Sequence, residues 1–359
     1  MGSSSSALCE LMSDAPLALS VLDLVPVRTG QTSAQAITAS LTTADAADRL
    51  GYRRYWFAEH HNMPAVASTT PPVLVAAAAA RTSRIRLGSG GVMLPNHSPL
   101  VVAEQFAALE AIAPGRIDLG IGRAPGSDPV ITQLLRQSGT TSDVDRFPDN
   151  IRDILALSSP EGASLRFTSG QEYAVRATPA AMTPPAVWLL GSSDYSAQLA
   201  ASMGLPYVFA NHFSGDGLER ALGLYRSQFR PATDGDTPRT FLTANVVVGD
   251  TDAEAHALAL PQLRMMARLR GGRPLTALET VEQAHSAEAS DGLATPLASW
   301  AAERWFIGTP DAVTERLWEF AERWQVDEVM ISPVAAARDS DPMDAAPARL
   351  RTLELLAAA

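Results

Sequence analysis

Apolar and polar positions along the chain fall into a repeating two-part pattern. A short apolar run, LALSVLDLVP at residues 17–26, stops at Pro26. It gives way to SAQAITASLTTADAADRLG at 33–51, where apolar residues recur about every 3.6 positions and Gly51 ends the series. That spacing predicts a strand and then a helix. The unit repeats with YRRYWFAE before TPPVLVAAAAARTS, where Pro71 and Pro72 occupy a first helical turn that tolerates them. It repeats again with RIRLGSGGVML before PLVVAEQFAALEAIAPG, and with RIDLGIG before DPVITQLLRQ and FPDNIRDILALS. The second half continues less regularly: AVWLLG before SDYSAQLAASMG, PYVFAN before GLERALGLYRSQF, TFLTANVVVG before TDAEAHALALPQLRMMARL. The helix candidate DAVTERLWEFAERW then precedes DEVMISP and a last C-terminal helix.

Strands that each lead into a helix imply parallel pairing through right-handed crossovers. Eight such units closed on themselves make an α/β fold of the (β/α)8 TIM-barrel type. A barrel of roughly 250 residues plus rim insertions fits the length better than an open doubly wound sheet. The expected organisation is a disordered tail over residues 1–15 and one barrel domain over 16–359. Two stretches depart from the pattern: 158–185 holds strand-like fragments among Pro, Gly and Ser, and 270–300 is small, polar and weakly periodic. Both read as rim insertions, and a long rim loop is either a lid or disordered.

Composition narrows the function classes. With 46% hydrophobic and 19% charged residues the chain has ample material for a core, which argues against disorder. The net charge is −11 and lysine is absent, so every fixed positive side chain is an arginine. A field of that sign repels phosphate backbones, which argues against nucleic acid as a partner. It also singles out any inward-facing arginine, whose planar fork matches phosphate oxygens. Cys9 is the one cysteine, so no intrachain disulfide is possible, in keeping with a reducing cytoplasm. The opening MGSSSSALCELMSDAP lacks the basic start and long apolar core of a secretory signal, although it matches the loose myristoylation pattern Met-Gly-x-x-x-Ser. No apolar run is long enough to span a bilayer, so a membrane is not an expected partner.

In a barrel, chemistry belongs at the C-terminal ends of the strands. Those ends carry Asp23 and Pro26; Glu59, His60 and His61; Gly90 and Gly91; Gly122 and Arg123; Gly191 and Ser192; Asn211 and His212; and Ser332. Adjacent residues of an extended segment point to opposite sides, so His60 and His61 cannot both face one metal ion, and no metal site is expected. A single imidazole oriented by Glu59 or another group suits proton transfer near neutral pH. A hydrogen-bonded structural histidine is the plainer alternative. Gly90-Gly91 lets a flat ligand approach the backbone or marks a bulge. Gly120, Gly122 and Gly126 miss the dinucleotide fingerprint by one residue, and Pro125 interrupts the helix start, which removes a nicotinamide-binding Rossmann domain. Arg123 then reads as a phosphate partner or a rim salt bridge. The run Ser192, Ser193, Asp194, Tyr195, Ser196 offers either an anion site or ordinary helix capping. A further arginine, Arg146, tilts the balance toward phosphate. Asn211 and His212 are the residues expected to border a substrate pocket.

Taken together, the stretches RYWFAEHHNMP, SRIRLGSGGVMLPNHSPLVVAEQFAALEAIAPGRIDLGIGRAPG, VWLLGSSDYSAQLA and IGTPDAV resemble the luciferase-like flavin-dependent monooxygenases in order and spacing over most of the chain. The resemblance implies a TIM barrel that binds FMN at the C-terminal rim, usually as a homodimer. Reduced FMN would come from a separate flavin reductase, form a flavin peroxide with O2, and pass one oxygen atom to a small organic substrate, in some relatives within natural-product pathways. By position, His60 matches the family's catalytic histidine. Gly90-Gly91 falls where the family has a non-proline cis peptide against the flavin. Arg123, Arg146, Ser192 beside Gly191, and Tyr195 fall at phosphate-binding positions, with Tyr195 departing from the threonine of the luciferase subunit. Residues 270–300 match a mobile loop that closes over the flavin. Two alternatives stand beside this one: a deazaflavin-dependent hydride-transfer enzyme on the same barrel, and a non-catalytic flavin-binding protein.

Overall fold

The computed structural model of the protein describes residues 17–136, 144–213 and 215–359, so the tail expected over 1–15 lies outside the described residues. Strand β1 (Ala18–Asp23) leads to α1 (Ser33–Leu50), β2 (Arg54–Phe57) to α2 (Pro71–Ala79), and β3 (Arg86–Met93) to α3 (Pro99–Ile112). After β4 (Ile117–Gly122) come α4 (Pro129–Arg136) and α5 (Phe147–Ser158), then a hairpin of β5 (Ala163–Arg166) and β6 (Glu172–Val175). The chain continues through β7 (Ala186–Gly191), α6 (Asp194–Met203), β8 (Tyr207–Phe209), α7 (Leu218–Ser227), β9 (Thr240–Val248) and α8 (Asp252–Arg270). Helices α9 (Val281–Asp291) and α10 (Ala298–Arg304), β10 (Phe306–Gly308), α11 (Pro310–Trp324), β11 (Glu328–Pro333) and α12 (Pro347–Ala358) complete it.

The ring closes through parallel pairs alone: β1 with β2 and β11, then β2–β3, β3–β4, β4–β7, β7–β8, β8–β9 and β9–β11. This is the (β/α)8 barrel that the alternation implies. Strand β10 was not anticipated; its three residues add to the outer end of β9, pairing Phe306 with Val246. The helices begin and end where local chemistry dictates. Thr32 and Gln35 form a reciprocal capping box at the start of α1, and Gly51, at φ 85°, terminates it in the left-handed conformation that glycine adopts without penalty.

Alternation along each strand sorts the core into two parts. Val21, Tyr55, Phe57, Leu119 and Leu189 face the helices. Leu22, Trp56, Trp188, Val208, Phe241 and Met330 fill the barrel interior. The N-terminal end of the barrel is plugged by charge. Arg54 on β2 meets Glu328 on β11 at 2.6 and 2.9 Å and Asp118 on β4 at 2.9 Å, while Arg86 on β3 reaches Asp118 at 2.7 Å. Trp56 Nε1 donates to the same Asp118 at 3.0 Å, and the Arg54 guanidinium lies 4.8 Å from the Trp188 ring centroid. Buried charges are tolerable when satisfied this fully.

Residues 270–300 contain more structure than a rim loop. Helix α9 buries only Val281 and Ala284, which is why apolar periodicity does not reveal it. It is held instead by a Thr280–Gln283 capping box and by Arg264 of α8, whose guanidinium meets Glu279 at 2.7 Å, Glu288 at 2.5 Å and Asp291 at 2.7 Å. Among the described residues no helix is long and apolar enough to cross a membrane.

Two glycines give opposite expectations. A Cβ on Gly91 would lie 2.7 Å from the Gly120 carbonyl oxygen across the β3–β4 pair, whereas Gly223 on the exposed face of α7 has nothing within 4 Å. Gly91→Ala is expected to cost about 2–3 kcal/mol or to prevent folding, and Gly223→Ala to stabilise by about 0.5–1 kcal/mol, as read from denaturant midpoints.

Candidate active site

The loop after β2 is pinned to its neighbours through the main chain. Ala58 N–H donates to Asp23 C=O at 3.0 Å, His60 N–H to Ser68 C=O at 3.0 Å, and His61 N–H to Gly126 C=O at 2.9 Å. Ser68 Oγ closes the loop by donating to Ala58 C=O at 2.5 Å. The two imidazoles leave this loop in different directions. His60 lines a cavity, while His61 turns to Glu59. Glu59 does not orient His60, contrary to one expectation from the sequence. Its Oε1 accepts from His61 Nε2 at 2.9 Å and from His97 Nε2 at 2.8 Å, and its Oε2 accepts Met93 N–H at 3.0 Å. Burial alone would raise the Glu59 carboxyl; these donors outweigh it and bring the group to about 2.

The cavity encloses about 120 Å³ at the C-terminal rim, beside the ends of β1, β2, β8, β9 and β11. Its wall carries His60, His212, Asn245, Gln262, Ser332 and the ion pair of Asp23 with Arg349, and the rest is mainly methionine, leucine, valine and alanine. Leu275 and Leu278 of the 270–300 segment also line it, and Leu278 is tied down by paired main-chain bonds to Val27 and Thr29, each 2.8 Å. Burial holds His60 below the ordinary imidazole value of 6.5. Burial, followed by the neighbouring charge of His60, brings His212 to about 4. Both rings are therefore neutral at pH 7. Asn211, expected beside His212, does not line the cavity; its Oδ1 lies toward Gly215. Asn245 takes the wall position instead. Thr243 and Asn245 are polar residues two apart on the apolar strand TFLTANVVV, and that shared inward face was the signal available to find them.

Gly90 backs the same wall, and Gly91 beside it packs on Gly120 of β4. Their peptide bond is cis, and the β3–β4 register shifts between Ser89 and Val92, so both the bulge and the cis peptide expected there are present. A side chain on Gly90 would come within 2.6 Å of Leu22 Cδ1, and Leu22 lines the cavity.

Across the rim, the ends of the paired strands β4 and β7 hold the remaining residues. The Arg123 guanidinium lies 4.3 Å from the Tyr195 ring centroid, so the tyrosine that departs from the family pattern supports the arginine by a cation–π contact. Ser193 is the N-cap of α6, accepting from Ser196 N–H at 3.5 Å, which leaves Ser192 exposed and outside the capping role. Gly191 is packed against Ser196, whose Oγ would meet an added Cβ at 2.3 Å. Arg146 is an exposed residue of a short 3-10 turn (Val144–Arg146) before α5, apart from the Arg123–Tyr195 pair in the chain. An exposed arginine, a serine hydroxyl and a helix N-terminus suit a phosphate, and a rim wall without side chains at Gly90-Gly91 suits a flat ring. The residues present fit a phosphorylated flavin.

Comparison with known proteins agrees with this geometry. The sequence model of the family described as luciferase-like monooxygenase matches residues 18–328. A luciferase-like monooxygenase of Escherichia coli K12 is 42% identical over 261 residues, 73% of this chain and 75% of that one. The N-acetyl-S-alkylcysteine monooxygenase of Bacillus subtilis is 32% identical over 89% of this chain and 93% of its own. The crystal structure of apo-MsnO8 superposes with a TM-score of 0.81 at 35% identity, covering 96% of this chain and 97% of its own. With its barrel, its rim and its sequence in agreement, this chain belongs to the luciferase-like monooxygenase family.

Proposed function

We propose that the protein takes reduced FMN from a separate flavin reductase and, with O2, transfers one oxygen atom to a small organic substrate in the rim cavity. The observation that carries this reading is the apolar cavity faced by a neutral His60 and backed through Leu22 by the Gly90-Gly91 peptide. The flavin, when bound, supplies electrons to oxygen. The chain's own residues do the rest. Arg123 and Ser192 hold the phosphate end, with Arg123 braced by Tyr195, and Arg146 is the further arginine assigned to it. Gly90 and Gly91, close-packed on Leu22 and Gly120, put a peptide without side chains behind the ring. The 270–300 segment acts as a lid that keeps bulk water from the cavity through Leu275 and Leu278. His60, being neutral, removes or holds a proton at the reacting oxygen.

A homodimer is part of the same proposal. Helices α2 and α3 are apolar almost all round, a pattern suited to burial, and they leave Val73 64%, Val101 48% and Ile112 58% exposed. A second copy of the chain covers that face.

Three measurements test these statements. With FMN, a flavin reductase, labelled O2 and a substrate panel, product mass spectrometry is expected to find label in the product, and His60→Ala to lower turnover by about 10²–10⁴-fold. Absence of FMN binding, or binding of a deazaflavin in its place with no oxygen uptake, would overturn the reading. The acid limb of the turnover profile is expected below pH 6.5, because protonation removes the base form of a histidine whose value is lowered by burial; a limb at or above 6.5 contradicts that role. Light scattering is expected to give twice the chain mass, and the double variant Val73→Asp, Val101→Asp to halve it.

A further inference from the structure

Four arginines are buried among the described residues, and their surroundings differ. Arg54, Arg264 and Arg349 are 6%, 0% and 5% exposed, and each meets a carboxylate: Glu328 and Asp118 for Arg54, Glu279, Glu288 and Asp291 for Arg264, Asp23 for Arg349. Arg28 is 4% exposed, and among the described residues it pairs with none. Its Nη1 donates to Arg338 C=O at 2.7 Å and its Nη2 to Asp341 C=O, while its Nε donates to nothing. Carbonyl dipoles orient a guanidinium but leave its charge uncancelled, and an arginine is almost never buried this fully without an ionic partner.

A recess of about 40 Å³ lies beside that charge. Arg28, Gln31 and Arg349 are its polar lining, alanines make up most of the rest, and no acidic side chain lines it. Arg349 is cancelled by Asp23 at 2.6 Å, so the charge of Arg28 is the one left over. Gln31 does not offset it, because its Nε2 donates to Met343 C=O and its Oε1 accepts Arg28 N–H at 3.1 Å. The start of α12 faces the same space through Ala346, Ala348 and Arg349. Its N-cap is Ala346, which has no side-chain oxygen, and Pro347 follows, so the cap residue offers nothing to the first-turn N–H groups and their partial positive charge.

We propose that this recess binds a small inorganic anion of the size of chloride, held by Arg28 and the first turn of α12. The volume is close to one molecule's share of liquid water, about 30 Å³, which suits such an ion and leaves no room for a phosphorylated metabolite. Arg123, Ser192 and Tyr195 take no part in the lining, so the site is distinct from the one assigned to the flavin phosphate. It stands behind the wall of the rim cavity: Pro26, Leu278, Ala335 and Arg349 line both spaces. Arg28 also lies between Val27 and Thr29, whose main chains bond Leu278 at 2.8 Å each. An anion there cancels the buried charge and joins this strand, which ties down the 270–300 segment, to α12. Binding to the folded chain alone stabilises it by mass action.

Thermal melting of the full chain, with sodium gluconate exchanged stepwise for sodium chloride at constant ionic strength, tests the site. Gluconate is too large for the recess, and general salt effects are common to wild type and variants. The exchange is expected to raise the wild-type midpoint by about 1–3 °C more than that of Arg28→Gln and to saturate, while Arg123→Gln responds as the wild type does. Equal responses in wild type and Arg28→Gln, a response that does not saturate, or one that Arg123→Gln removes overturns the proposal. Should Arg28→Gln fail to fold, anomalous diffraction from wild-type crystals grown in sodium bromide decides: a bromide peak against the Arg28 guanidinium and the start of α12 is expected, and its absence there overturns the proposal. These readouts use no flavin, substrate or oxygen, so they stand apart from the fate of the monooxygenase reading.

Discussion

Ring closure of the parallel sheet is the constraint from which the site follows. Parallel strands joined by crossovers all run the same way, so every strand end that faces solvent at one rim is a C-terminal end. Once β8 pairs with β9 and β11 with β1, residues 60, 91, 123, 192, 212 and 245, far apart in the chain, share that rim. The opposite end is sealed by Arg54, Glu328, Asp118 and Arg86, each on a different strand. The network lets four polar side chains occupy the narrow end without an unpaired charge, and it leaves the interior above it to aromatic packing among Trp56, Trp188 and Phe241.

The upper rim handles charge by pairing it, within the cavity wall at Asp23 and Arg349 and beside it at Glu59. Asp23 is neutralised by Arg349, and Glu59 is occupied by His61, His97 and Met93. Beside the paired Asp23 and Arg349, the cavity is faced by two imidazoles kept neutral by burial. In a water-poor pocket a neutral base costs far less than an ionic one, and a small proton movement there is not damped by solvent. The Glu59 bridge serves the same economy from outside the cavity, since it fixes the loop on which His60 sits and spends its own charge on the neighbouring ring.

The covering segment is held on different terms from the barrel. Its helix α9 contributes little apolar surface, and Arg264 joins it to α8 through three carboxylates. The side-chain hydrogen bonds that Arg264 donates, those to Asp291 foremost, hold its guanidinium protonated against its burial. An attachment made of ion pairs and caps over a hydrophobic contact at Leu275 and Leu278 separates the stability of this segment from that of the core, a division suited to the lid role proposed for it.

How much of this was legible in the chain depends on the range of the physics involved. Local periodicity is written into neighbouring residues, so eight barrel strands and their helices, the Pro71 helix start and the Gly51 stop could be read directly, and with them the rim on which His60, Gly90-Gly91 and Arg123 lie. Helix α9 could not, because its support comes from Arg264, an ion-pair partner whose position in space no apolar spacing records. Nor could the partner of Glu59, since His97 is 38 residues away and meets it only after β2 and β3 pair. Asn245 displaced Asn211 on the cavity wall for the same reason: which of two polar residues turns inward is settled by strand parity and closure. Residue types and their order therefore carried the architecture and the family, whereas the pairing of charges, the neutral state of the imidazoles and the shape of the cavity arose only when distant segments were brought into contact and water was removed from between them.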